Sequence, residues 1–258
     1  MRLPQLTHVP ATDSYLQAVQ RLVRKDKIVE EVIEDPWMQV FFPITLVVKV
    51  KECGEDDTLY FPKTQEITLC LETASNLLNT FYSRMKAIKP QKVRYNQIRQ
   101  HLRWQLRFFL YHEMAHALID QLHLPVVGRE EDAADALAAM LLSGNETDGP
   151  PAILSIAEYY RLIGLQDLKA GTVSWWDEHA VDLQRSYNMR CFVYGREPKD
   201  HKHLVGTKRG QLPKARVKKC TGEFRQSVQS WVTLLEPQIE ALWLARVAKR
   251  RLTTRSLF

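Results

Sequence analysis

Between Pro90 and Pro125 the chain has neither glycine nor proline. Apolar side chains at Ile98, Leu102, Leu106, Phe109, Leu110 and Leu118 recur there at helical spacing. This period predicts one long helix over residues 92–122, stopped by Pro125. A helix of that length is the frame on which the rest of the fold must be arranged. It contains His112, Glu113, Met114, Ala115 and His116, an HExxH pentapeptide. Residues four apart share a helix face, so His112 and His116 can aim both imidazoles at one ion. Glu113 lies beside that face and can reach a water on the ion.

Two histidines leave such an ion one protein ligand short, because a catalytic zinc ion takes three and keeps the fourth position for water. His123 is seven residues beyond His116, about 10.5 Å along a continuous helix, too far to share the ion. Asp120 lies a turn past His116 and can orient a group but not ligate. Glu130, Glu131, Asp132 and Asp135 open the next helical segment. First-turn acids also suit a helix N-terminus, but Asp135 sits a turn deeper, among alanines. Glu131 and Asp135 share a face, so Glu131 can bind the metal while Asp135 holds the far nitrogen of a ligand histidine. Glu130 is the alternative ligand.

The remaining pattern is that of a mainly helical α+β chain with one small early sheet. Strands are expected over 44–50, 58–61 and 66–71, the last two flanking Pro62-Lys63. Helices are expected from residue 13 or 14 to about 35, over 73–88, 130–142, 152–163 and 174–192, and on both sides of Pro237. The 258 residues read as a single domain, with a helical segment at 1–35, a core at 36–237 and a basic helical tail at 238–258. His101 reads as a helix-surface residue, and the six tryptophans as core and helix packing.

Composition removes several classes of function. The longest mostly apolar stretch, residues 40–48, is broken by Pro43 and is too short to span a membrane. The first residues lack the apolar segment of a signal peptide. The net charge of +6 comes from basic residues concentrated at 199–219 and 246–255. No nucleic-acid-binding motif accompanies them, so a solvated basic face is expected rather than a specific nucleic-acid site. Cys53, Cys70, Cys191 and Cys220 form no CxxC pair. Their even number, flanking a hairpin and a basic loop, fits two disulfides and an oxidising compartment.

HExxH followed by Glu131-Asp132-Ala133-Ala134-Asp135 resembles the gluzincin peptidases. The chain resembles more closely an uncharacterised bacterial family of zinc metallopeptidases. The matching segments include Cys53-Gly54, residues 67–70, 111–120, 124–135 and 177–185, Tyr194-Gly195, and 220–231, so the resemblance spans about residues 40–237. It implies a zincin-like fold, Zn2+ as the metal, and a peptide or protein as substrate. It also implies Cys53–Cys70 and Cys191–Cys220 pairing, and an exported or periplasmic protein. Some gluzincin-like membrane peptidases carry a late His and Arg near the site, which assigns His179 as oxyanion donor and Arg185 as a substrate contact, with Tyr187 as an alternative donor. In zincin-like folds an edge strand pairs with the substrate, and Ile67, Thr68 and Leu69 are the expected strand. The leading expectation is a zinc peptidase with Glu113 as general base. A catalytically inactive metal-binding scaffold is the alternative.

Overall fold

The structure, a computed structural model, describes the backbone of residues 4–35, 45–144, 148–208 and 210–255, and among them side chains up to residue 237. It is mainly helical with one four-stranded sheet, an α+β arrangement. The strands are β1 (Gln5–His8), β2 (Val47–Lys51), β3 (Thr58–Phe61) and β4 (Glu66–Cys70). They lie in the order β1-β2-β4-β3. β1 and β4 both run parallel to β2, with Gln5 beside Val47 and Val47 beside Glu66. β3 and β4 form an antiparallel hairpin, with Thr58 opposite Leu69.

This order corrects the expected substrate strand. Ile67, Thr68 and Leu69 lie on β4, which is hydrogen-bonded on both sides and has no free edge. Among the described residues the outer strands are β1 and β3, and β3 is the one next to β4 in the hairpin. The burial explains the placement: Ile67, Thr68, Leu69 and Cys70 are all buried, with no in–out alternation, as a strand covered on both faces requires. β1 was not expected at all. The expected strand start at Ile44 lies outside the described residues.

The first helical segment divides into α1 (Ser14–Lys25) and α2 (Ile28–Ile33). Asp13 caps α1 by accepting from the Leu16 N–H. The break falls at Lys27, whose φ of 50° is left-handed. α3 (Leu71–Arg84) continues directly from β4. α4 (Gln91–Leu122) is the long helix, and it ends where His123 turns left-handed, just before Pro125. Its side chains at Leu102, Leu106, Phe108, Leu110, Tyr111 and Met114 are fully buried. Each such side chain contributes about 1.5–3 kcal/mol relative to exposure. His101 is not on the surface: it is half-buried, stacks on Phe81 at 4.7 Å, and bonds Ser155 through Nδ1 at 2.6 Å.

α5 (Glu130–Ser143) and α6 (Gly149–Ala170) pack on α4. α7 (Asp182–Arg196) packs on α6, and α8 (Lys214–Arg255) packs on α7 and α5. The expected helix start at residue 174 is corrected to Asp182, since 172–181 is irregular. Trp175 and Trp176 lie in that segment, 72% and 85% exposed, so they are not core. Trp231 is buried, as expected. No helix among the described residues is long and apolar enough to cross a membrane.

Two disulfides brace this framework. Cys53–Cys70 ties the turn before β3 to the end of β4, and Cys191–Cys220 ties α7 to α8. The chain segments they close contribute on the order of 3 kcal/mol each by loop entropy. Gly195 lets α7 and α8 approach, because a Cβ there would collide with the Cys220 carbonyl. Glu72 caps the Cys53 and Gly54 N–H groups at 3.1 and 2.7 Å, which fixes the turn leading into β3. Gly54 sits at φ +82°, where a side chain would be strained.

Candidate active site

The turn of helix between His112 and His116 places their Nε2 atoms 3.1 Å apart, facing α5. Glu131, in the first turn of α5, brings Oε2 to 2.9 Å from His112 Nε2 and 3.3 Å from His116 Nε2. The irregular segment before α7 adds His179, whose Nε2 is 2.8 Å from the same Glu131 oxygen. The sequence-predicted ligands are therefore brought together, and His179 stands with them.

The far nitrogen of each ring is held by its own carboxylate. His112 Nδ1 meets Asp135 Oδ1 at 3.0 Å, and His116 Nδ1 meets Glu130 Oε1 at 2.7 Å. His179 Nδ1 meets Asp177 Oδ1 at 3.0 Å. A carboxylate accepts, so each Nδ1 carries the donated hydrogen. In the neutral His112 and His116 rings Nε2 then presents a lone pair toward the Glu131 oxygen. Acceptors facing one another at this range repel unless a cation stands among them. The separations of 2.9, 3.1 and 3.3 Å among His112, His116 and Glu131 fit atoms sharing one small ion, which stand about 3.3 Å apart for bonds of about 2 Å. The donor set therefore suits a metal ion. His112, Glu131 and His179 make an overlapping triad whose ligand atoms lie within 4.8 Å of one another.

The electrostatics agree. Burial opposes charge on the His112 ring, but Asp135 and Glu131 outweigh it and push the ring up to about 9. Burial likewise opposes charge on Glu131, yet the three histidines hold it well below the usual carboxylate range. Both directions mean that the cluster attracts positive charge. Asp135 is buried, and burial disfavours its charge. Arg185 and His112 outweigh that and keep it ionised. Arg185 grips Asp135 with two bonds, Nε to Oδ2 at 2.9 Å and Nη2 to Oδ1 at 2.8 Å, and lies over the Tyr160 ring at 4.1 Å.

Glu113 is buried beside the cluster, and burial pushes its carboxyl up to about 7 against the pull of His112 and His116. Its Oε2 accepts the backbone N–H of Tyr60 on β3 at 2.7 Å. The Tyr60 hydroxyl in turn donates to Asp120 at 2.7 Å, so the edge strand is pinned to α4 at two points. Asp120 thus holds the Tyr60 side chain in place. His123 is exposed at the helix end and takes no part. Tyr187 lies on another groove, beside Arg129, Gln184 and Asn188.

A cleft of about 590 Å³ opens over the cluster. Thr58, Leu59 and Tyr60 of β3 form one wall, Tyr159 and Tyr160 of α6 another, and Asp177, Glu178 and His179 a third. The bracing by Asp177 and Glu130 and the contact from the Tyr60 backbone were not expected from the sequence. Asp177 carried a signal, since it stands two residues before a histidine already singled out. The Tyr60 N–H carried none, because any residue offers the same group.

A family described as "Putative metallopeptidase" matches residues 8–235. The chain belongs to this family. Membership in the metallopeptidase family supports a peptidase that uses a metal ion and acts on a peptide or protein. No curated protein and no solved structure matches the chain. The two disulfides of this family member fit an oxidising environment.

Proposed function

We propose that this chain is a zinc-dependent peptidase of gluzincin type. His112, His116 and Glu131 hold the metal, and Glu113 is the general base. The observation that carries this reading is the convergence of the two Nε2 atoms with the Glu131 oxygen at the floor of the cleft, with Glu113 beside them. Bound there, zinc supplies Lewis acidity to a carbonyl and acidifies a water. Glu113 takes a proton from the attacking water and delivers it to the leaving amine, a task suited to a carboxyl pushed up to about 7. The Tyr60 N–H keeps that carboxyl turned toward the cleft.

His179 donates to the carbonyl oxygen as charge builds on it. Its Nε2 already lies 2.8 Å from a ligand oxygen, and Asp177 sustains its positive charge. Arg185 acts through Asp135: its donors are turned to that carboxylate, which fixes the His112 ring. An extended substrate lies along β3, the outer strand that borders the cleft.

The test is cleavage of a peptide library by zinc-loaded protein, beside Glu113→Gln. The variant should keep its metal and lose at least ~100-fold in rate. Metal bound by both proteins with no cleavage by either would favour an inactive metal-binding scaffold instead.

A further inference from the structure

A second cavity, of about 270 Å³, lies beside the cleft, between the end of α6, the 172–181 segment and the start of α7. Asp177, His179, Asp182 and Arg185 line both spaces, so the cavity opens off the candidate active site. Its walls are apolar at Leu168, Val173, Trp175 and Leu183. Its charge is not balanced. Arg185 is matched by Asp135, and Asp177 by His179. Asp167 has only the Thr172 hydroxyl, and the Asp182 carboxylate makes no hydrogen bond among the described residues. Asp182 opens α7, but it is half-buried in the cavity wall. Burial raises its pKa, and Asp167 and Asp135 add to that against the pull of Arg185 and His179.

We propose that this side cavity receives a lysine or arginine side chain of the peptide substrate, with Asp182 meeting its charge. The proposal rests on the peptidase reading above. A long basic side chain has the two parts the cavity asks for: an apolar stem to lie against Trp175 and Leu168, and a cationic head for two carboxylates that make no ion pair among the described residues. An apolar side chain would desolvate Asp182 and Asp167 with nothing in return, and an acidic one would be repelled.

The experiment is a digest of a proteome-derived peptide library by the full zinc-loaded chain, read by mass spectrometry. Lysine and arginine should be enriched at one fixed position from the cut. Matched peptides with lysine or norleucine at that position should differ about tenfold or more in kcat/KM. In Asp182→Asn this ratio falls toward one. It falls as well in Trp175→Ala, whose side chain is 72% exposed and can be removed without opening the core. A ratio does not depend on how much of a variant is folded. Cuts without a basic preference, or a ratio that Asp182→Asn leaves intact, overturn the proposal and leave the peptidase reading standing. No cuts at all overturn both.

Discussion

Asp135 shows how much of the site is built behind the ligands. It touches His112 on one side and Arg185 on the other, and it is buried. Asp135→Asn keeps the shape but gives the His112 ring a neutral partner and leaves Arg185 without its counter-charge. Metal affinity should fall about 10–100-fold, measured by competition with a chelating indicator. Unchanged affinity would mean that the His112 tautomer needs no support. At this scale the sequence was most legible where spacing along one helix does the work. His112 with His116, and Glu131 with Asp135, are each four apart, so helical geometry alone puts each pair on one face. His179 was singled out, but its place against Glu131 depends on how an irregular segment crosses the cleft, and no local period encodes that.

Among the elements, Glu158 of α6 is a tether. It accepts from Arg161 one turn on at 2.6 Å, from Arg190 of α7 at 3.2 Å, and lies 3.5 Å from Arg84 at the end of α3. Burial disfavours its charge, yet these arginines outweigh burial and lower its pKa below 4.5. A carboxyl depressed in the folded state contributes stability above its unfolded pKa and loses it as pH falls through the folded one. The stability difference between wild type and Glu158→Gln should therefore be constant from neutral pH down to about 4.5 and shrink below it. Urea unfolding at a series of pH values measures it, and a difference that grows on acidification would contradict the assignment. The long helix and the β3–β4 hairpin were legible as elements. Their order in the sheet was not, because a hairpin does not say which of its strands stays uncovered. In sequence Ile67, Thr68 and Leu69 alternate like a half-exposed strand, and only the burial of Thr68 shows β4 covered on both faces. β1 is four residues long with a weak pattern, and its parallel pairing with β2 depends on a crossover through α1 and α2. Tryptophan usually packs, but Trp175 and Trp176 sit on an exposed turn before α7.

Across the whole molecule, charge is unevenly placed. The chain carries +6 overall, yet Asp56, Asp57, Asp177, Glu178 and Asp182 line the cleft. Such a cleft concentrates cations, both a metal ion and a basic peptide segment. The family match over residues 8–235 takes in β2 to β4 and α1 to α7, and so every proposed ligand. The most direct measurement is metal content per chain by elemental analysis, on protein purified without added metal, for wild type and Glu131→Ala. About one zinc per wild-type chain, lost in the variant, is the predicted result. No metal in the wild type even after zinc is supplied, or metal retained in Glu131→Ala, would contradict the site.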